Sequence, residues 1–249
     1  MLQEIYDRKE KDWIHRSKIF KVNPDFKRSS IFESPNFGAS VRRYHKSSTS
    51  HHFNIGVSVE FTGERPVLDN GTESSKMRYR ALLPYCLGKE VLDYGCGIGH
   101  GSHWLSTYLP RVVGYEPCKE ALDCARKNFS RSNLDFVECF DPHLVQGVDL
   151  VVMVEVLEHI EKEQVASLLE VFRESGKDLI LTTPNGELYP YHPATKEDRR
   201  GFHLWHYTCR ELQELGAQYF KFSEVFSHLW DPNIKQFISY MMICSNRFS

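Results

Sequence analysis

The run Val91-Leu92-Asp93-Tyr94-Gly95-Cys96-Gly97-Ile98-Gly99-His100-Gly101 decides the fold. It starts as a short apolar strand, meets an acidic residue, and then places glycine at every second position. Glycine tolerates positive φ and has no Cβ, so a strand can reverse there while its amides approach a ligand that side chains would hold off. The stretch therefore predicts a nucleotide-binding turn between a strand and a helix. The dinucleotide fingerprint G-x-G-x-x-G would need Gly or Ala at 100 if counted from Gly95, or at 102 if counted from Gly97, and the chain has His100 and Ser102.

The next apolar run, Arg111-Val112-Val113-Gly114-Tyr115-Glu116-Pro117, again ends on an acid, 23 positions after Asp93. That distance is one strand-helix-strand step. A carboxylate placed there can accept from both vicinal hydroxyls of a ribose. Further on, the periodicity predicts strands near 90–94, 111–116, 135–139, 149–154 and 178–183. Helices are expected near 74–86, 101–108, 119–129, 162–174 and 209–217. Two late runs, 221–227 and 237–244, flank the turn Trp230-Asp231-Pro232-Asn233 and read as an antiparallel hairpin. His100 and His103 read as residues of the first helix after the glycine turn.

With 249 residues, 41% of them hydrophobic, the chain can bury one sizeable α/β core, and its net charge of −2 gives no global polyanion signature. The seven cysteines, Cys86, Cys96, Cys118, Cys124, Cys139, Cys209 and Cys244, are odd in number and form no C-x-x-C pair, which suits a reduced, cytoplasmic setting. No apolar run approaches the roughly 18 residues of a membrane span, and Met1-Leu2-Gln3-Glu4-Ile5 does not read as a signal peptide. The first 50 residues carry eleven Lys/Arg against six Asp/Glu, interleaved with aromatics. Such an arm can bind nucleic acid by phosphate neutralisation and base stacking, or simply pack its aromatics on the main domain. Ser47-Ser48-Thr49-Ser50 reads as a turn or link, and the domain division expected is 1–72 as an extension or substrate cap and 73–249 as the main domain.

The order Asp93-x-Gly95-x-Gly97-x-Gly99 resembles motif I of class I S-adenosylmethionine (SAM) methyltransferases. The resemblance extends over roughly residues 60 to 220, carried by Phe61-Thr62-Gly63-Glu64-Arg65, Arg78-Tyr79, Lys89 to Gly101, Asp149 to Val152, Glu155-Val156-Leu157-Glu158-His159 and Thr183-Pro184-Asn185. These are similar to a bacterial and phage group that modifies glycans or small molecules. The likeness implies an α/β fold: a Rossmann-like, doubly wound, seven-stranded sheet with an antiparallel C-terminal hairpin, plus the N-terminal cap. It implies SAM contacts at Tyr79, Asp93, Gly95, Cys96, Gly97, Glu116 and Pro117, with Met153 to Glu155 facing the methyl group. Where such proteins place an aspartate for the adenine amino group, this chain offers Asp141 after Phe136-Val137-Glu138-Cys139-Phe140.

The chemistry is expected after the fourth strand. Glu155, Glu158 and His159 are spaced i, i+3, i+4, which on a helical turn puts all three on one face. His203, in the insertion before the last helix, is expected to join them, because loops at strand C-termini ring the ligand crevice. Two readings stay open. Either His159 or His203 takes a proton from an acceptor hydroxyl, a task imidazole suits because its pKa lies near neutrality. Or Glu155, Glu158, His159 and His203 hold a divalent ion such as Mg²⁺ or Mn²⁺. The second set resembles the metal site of small-RNA 3′-end 2′-O-methyltransferases, and a related one occurs in ubiquinone-pathway O-methyltransferases. Glu64, Arg65, Tyr191 and Trp205 are the expected acceptor contacts, through stacking and charge pairing. The function expected is O-methylation of a small-molecule or glycan hydroxyl. The alternatives are a metal-assisted RNA methyltransferase and a non-catalytic SAM-binding protein.

Overall fold

The expected apolar runs become strands of a single mixed sheet. The computed structural model describes residues 50–52, 58–60, 73–190 and 203–246. Residues 1–49, Glu64, Arg65 and Tyr191 lie outside the described residues, and so do the expectations placed on them. Near the start, β1 (Ser50–His52) and β2 (Ser58–Glu60) pair antiparallel as a separate two-stranded sheet.

The main sheet contains β3 (Glu90–Tyr94), β4 (Arg111–Tyr115), β5 (Leu134–Val137), β6 (Leu150–Val154), β7 (Asp178–Pro184), β8 (Phe222–Asp231) and β9 (Gln236–Ser245). Its order is β5-β4-β3-β6-β7-β9-β8. The first five strands are parallel, whereas β9 runs antiparallel to both β7 and β8. From β3 the chain winds outward through β4 and β5, then returns to place β6 on the other side of β3. That reversal opens a crevice at the carboxyl ends of β3 and β6, where open α/β sheets bind ligands.

Alternate strand residues serve opposite faces. On one, Leu92, Val113, Val151, Met153, Leu179 and Leu181 join one core cluster with α5 (Lys162–Ser175) and α6 (Cys209–Tyr219). On the other, Val91, Val112, Leu150, Val152 and Ile180 pack with α1 (Glu73–Cys86) and α2 (His100–Leu105). The stripe Val165, Leu168, Leu169 and Phe172 on α5 follows the helical period and is wholly buried. Each of these side chains contributes roughly 1.5–3 kcal/mol of burial. Gly176, at φ 70°, ends that helix in the left-handed conformation. Between β4 and β5 lies α3 (Lys119–Asn128).

Two local expectations change. A short helix, α4 (Pro142–Gln146), stands where none was expected; five residues are too few to show a period, and Asp141 with Pro142 supplies its start. The expected helical turn over Glu155, Glu158 and His159 does not form as one unit. Glu155 takes φ 55°, outside the helical region, and only Leu157–His159 closes a 3₁₀ turn. Glu155 is therefore set apart from the other two.

Candidate active site

The glycine turn is built by distinct demands at each glycine. Gly95, Gly97 and Gly99 have φ of 77°, 58° and 83°, values that L side chains rarely adopt. A Cβ at Gly95 would sit 2.6 Å from Val156, and one at Gly101 would lie 2.0 Å from the Tyr79 ring. Among the described residues, a Cβ at Gly97 would meet nothing within 4 Å, whereas protein packs directly against Gly95 and Gly101.

Asp93 is fully buried at the end of β3. It accepts from the Ser102 hydroxyl at 2.6 Å and from the Tyr79 hydroxyl at 3.2 and 3.1 Å to its two oxygens. Burial pushes its pKa up to about 6 against the pull of these two donors, and the charge of Glu116 adds to the rise. Asp93 and Tyr79 therefore act as internal braces between α1, β3 and α2. His100 stands edge-on to the Tyr79 ring, its pKa lowered to about 4 by burial and then by Lys76.

Glu116, 2% exposed, accepts from the Gly97 amide at 2.9 Å and from the Cys118 amide at 3.0 Å, one to each carboxylate oxygen. Cys96 and Pro117 are buried beside the turn. Asp141 is the exposed N-cap of α4, and its Oδ1 already accepts from the His143 amide at 2.9 Å. Only its remaining acceptor capacity is open to an adenine amino group. Met153 departs from expectation more sharply: the residue is 0% exposed, and its side chain belongs to the core cluster.

Beyond β6 the structure brings Glu158, His159 and His203 together, with one ligand atom from each lying within 4.8 Å of the others. Main-chain bonds make this meeting: the amides of Leu204 and Trp205 both donate to the Glu158 carbonyl, at 2.6 and 3.3 Å. Glu158 is wholly buried. One carboxylate oxygen accepts from Thr183 Oγ1 at 3.1 Å and the other has no hydrogen-bond partner. Burial, then the negative charge of Glu155, raises the Glu158 pKa well above the carboxylate range, opposed by Arg78 and Thr183.

Two expected site residues are engaged elsewhere. Glu155 pairs with Arg78 of α1 at 2.8 Å, so the convergent set among the described residues is Glu158, His159 and His203 without it. Trp205 lies under the Lys162 ammonium, 3.3 Å from its ring centroid, and donates to Glu211 at 3.2 Å. It clamps α5 to α6, with only the part of its surface that remains exposed available to a ligand. Arg78 and Thr183 stand within quoted motifs and Ser102 just after the glycine turn, but the sequence reading gave none of the three a role at the site.

A glycine turn closed by a buried carboxylate, set at the switch point of a sheet in this order, is the architecture of class I SAM-dependent methyltransferase domains. The methyltransferase domain family matches residues 73–226, and the chain belongs to it. It is 27% identical over 165 residues to a probable SAM-dependent methyltransferase of Mycolicibacterium smegmatis, a match covering 63% of each chain. The chain thus spans about three-fifths of the length of that curated relative. Among solved structures it resembles the methyltransferase domain of bacterial CtHen1, with TM-score 0.55 and 18% identity over 70% of this chain and 98% of that one. A second likeness is to DhpI in complex with SAH, with TM-score 0.51 and 14% identity over 71% and 86% of the two chains. These two likenesses are of fold. Among the described residues, no helix is long and apolar enough to cross a membrane.

Proposed function

We propose that this methyltransferase acts on oxygen, moving the methyl group of SAM to a hydroxyl of a small molecule or glycan while His203 or His159 takes the hydroxyl proton. The observation that carries the reading is the convergence of Glu158, His159 and His203 at the end of β6 and β7. SAM supplies a methyl carbon already activated by its sulfonium charge. The protein's part is alignment and proton removal: the cradle from Gly95 to Gly99 and Glu116 hold the donor, and a neutral imidazole accepts the proton as oxygen attacks. Buried Glu158 holds its main-chain carbonyl to Leu204 and Trp205, which keeps the two histidines in register.

One observation favours a second reading of the same residues. The Glu158 oxygen without a partner is buried, and a divalent cation shared with His159 and His203 would satisfy it. Mg²⁺ or Mn²⁺ would then polarise the acceptor hydroxyl in place of a base. Release of SAH against a panel of hydroxyl acceptors, with and without EDTA, separates the two. Under base catalysis EDTA leaves the rate unchanged, and His159→Ala or His203→Ala lowers kcat by about 10²- to 10⁴-fold. Under cation catalysis EDTA abolishes turnover, Mn²⁺ or Mg²⁺ restores it, and Glu158→Gln is as damaging as either histidine variant. Normal turnover in both histidine variants, with EDTA inert, would leave alignment alone as the source of rate. Turnover confined to RNA, with strongly salt-dependent binding, would move the acceptor class to polynucleotides.

A further inference from the structure

His206 is buried, and its ring bridges two groups of defined chemistry. Its Nδ1 lies 2.5 Å from the Tyr189 carbonyl oxygen and its Nε2 lies 2.5 Å from Nδ1 of His203. A carbonyl oxygen has no proton to give, so the contact to Tyr189 requires Nδ1–H on His206. A neutral imidazole carries one N–H, so His206 Nε2 must accept, and the proton in the second contact belongs to His203 Nδ1. In a neutral pair this arrangement makes His203 the Nδ1–H tautomer, with its lone pair on Nε2.

The scaffold around the relay is suited to hold it. Tyr189 and His206 stand on the two stems of the segment 191–202, and the stems are tied by the Gly186 amide donating to the Tyr207 carbonyl at 3.0 Å. A Cβ at Gly186 would lie 2.6 Å from that same carbonyl group, so the approach depends on glycine there. On the far side, His203 meets His159 edge-on at a centroid distance of 4.7 Å. The orienting chain thus runs from a main-chain carbonyl, through His206, to the histidine at the reactive cluster.

We propose that His206 is a positioning residue: by accepting from His203 Nδ1–H it selects the tautomer whose Nε2 lone pair takes the acceptor's proton or binds a cation. The inference rests on the proposed role of His203, and it deepens both readings of the cluster, since each needs a lone pair at a defined nitrogen.

Long-range ¹H–¹⁵N correlation of ¹⁵N-histidine-labelled protein, at a pH where the imidazoles are neutral, reads the tautomers directly. The expected result is Nδ1–H for both His203 and His206. In His206→Leu the acceptor is gone and His203 should shift to the Nε2–H form; in His206→Gln the side-chain oxygen accepts in its place and the Nδ1–H form should return. Turnover should follow the tautomer, falling about 10- to 100-fold in His206→Leu and recovering in His206→Gln, with SAH affinity by calorimetry within about twofold throughout. Wild-type His203 in the Nε2–H form, or a doubly protonated His206, overturns the proposal. So does a His203 that stays Nδ1–H in His206→Leu. Should that variant fail to fold, the wild-type and His206→Gln spectra decide. The spectra need no methyl acceptor, so this assignment can fail while the histidine chemistry stands, and the reverse holds when His159→Ala and His203→Ala keep full turnover.

Discussion

The Glu116 carboxylate accepts from the Gly97 amide across the glycine turn at 2.9 Å. The residue expected from sequence to face the ribose thus also holds the glycine turn in shape. Glu116→Ala should therefore weaken SAM binding by about 1 to 3 kcal/mol through lost ligand bonds and a loosened turn. Calorimetry with SAM and SAH measures it. Saturable NAD binding without SAM binding would falsify the cofactor assignment.

The glycines of the turn should separate by mechanism. Gly101→Ala drives a Cβ into the Tyr79 ring, so it should destabilise the fold by about 1–3 kcal/mol or more and lower Tm. Gly97→Ala meets no atom of the described residues, so beyond about 1 kcal/mol for its left-handed backbone its effect should fall on SAM affinity. Paired thermal melts and SAM titrations test this. Equal losses of affinity in both variants, with unchanged melting, would contradict it.

Asp93 gives a pH-dependent test. Its carboxyl sits at about 6 in the folded protein against an ordinary 3.8, so the folded state holds its proton more tightly. The stabilisation this brings is fully present below about pH 4 and is lost as pH rises through about 6. Asp93→Asn cannot lose a proton, so its stability relative to wild type should improve by about 2–3 kcal/mol between pH 4 and 7. Urea midpoints of the two proteins across that range measure the difference. A difference that does not change with pH would put Asp93 at an ordinary carboxylate pKa.

The sheet was legible because each strand of the α/β half is a short apolar run bounded by a turn signal; β3 and β4 stand within a residue of their expected limits. Three-dimensional placement was not. Spacing i, i+3, i+4 puts Glu155 beside Glu158 and His159 only on a helical backbone, and no letter in Val154-Glu155-Val156 announces a left-handed glutamate. Trp205 read as an acceptor contact because its clamps, Lys162 and Glu211, come from two other helices. The meeting of His203 with Glu158 and His159 was readable in outline, since loops at strand ends converge. His206 lies one helical turn's spacing from His203, but its role depends on the Tyr189 carbonyl, which sequence does not place.

The Arg78–Glu155 ion pair links α1 to the end of β6. Their side chains are 12% and 20% exposed, and the Glu155 amide also donates to the Thr182 carbonyl at 3.0 Å, holding the left-handed turn. Removing one partner strands the other charge in a mostly desolvated site, with Arg78 Nε and Glu155 Oε1 already lacking hydrogen-bond partners. Arg78→Gln and Glu155→Gln should each destabilise the protein by about 1–3 kcal/mol, discounted from a fully buried pair for the residual solvent. The double variant should cost less than the sum of the two, with a coupling energy of about 1 kcal/mol or more. The two single variants should also act oppositely on Glu158. Loss of the Glu155 charge removes a cause of its raised pKa, whereas loss of Arg78 removes a restraint on it. Denaturant titrations of the four proteins give the cycle, and the carboxyl ¹³C shift of Glu158 followed with pH gives the direction. Strict additivity, or a Glu158 titration indifferent to both changes, would show that the Arg78–Glu155 pair and Glu158 are energetically separate.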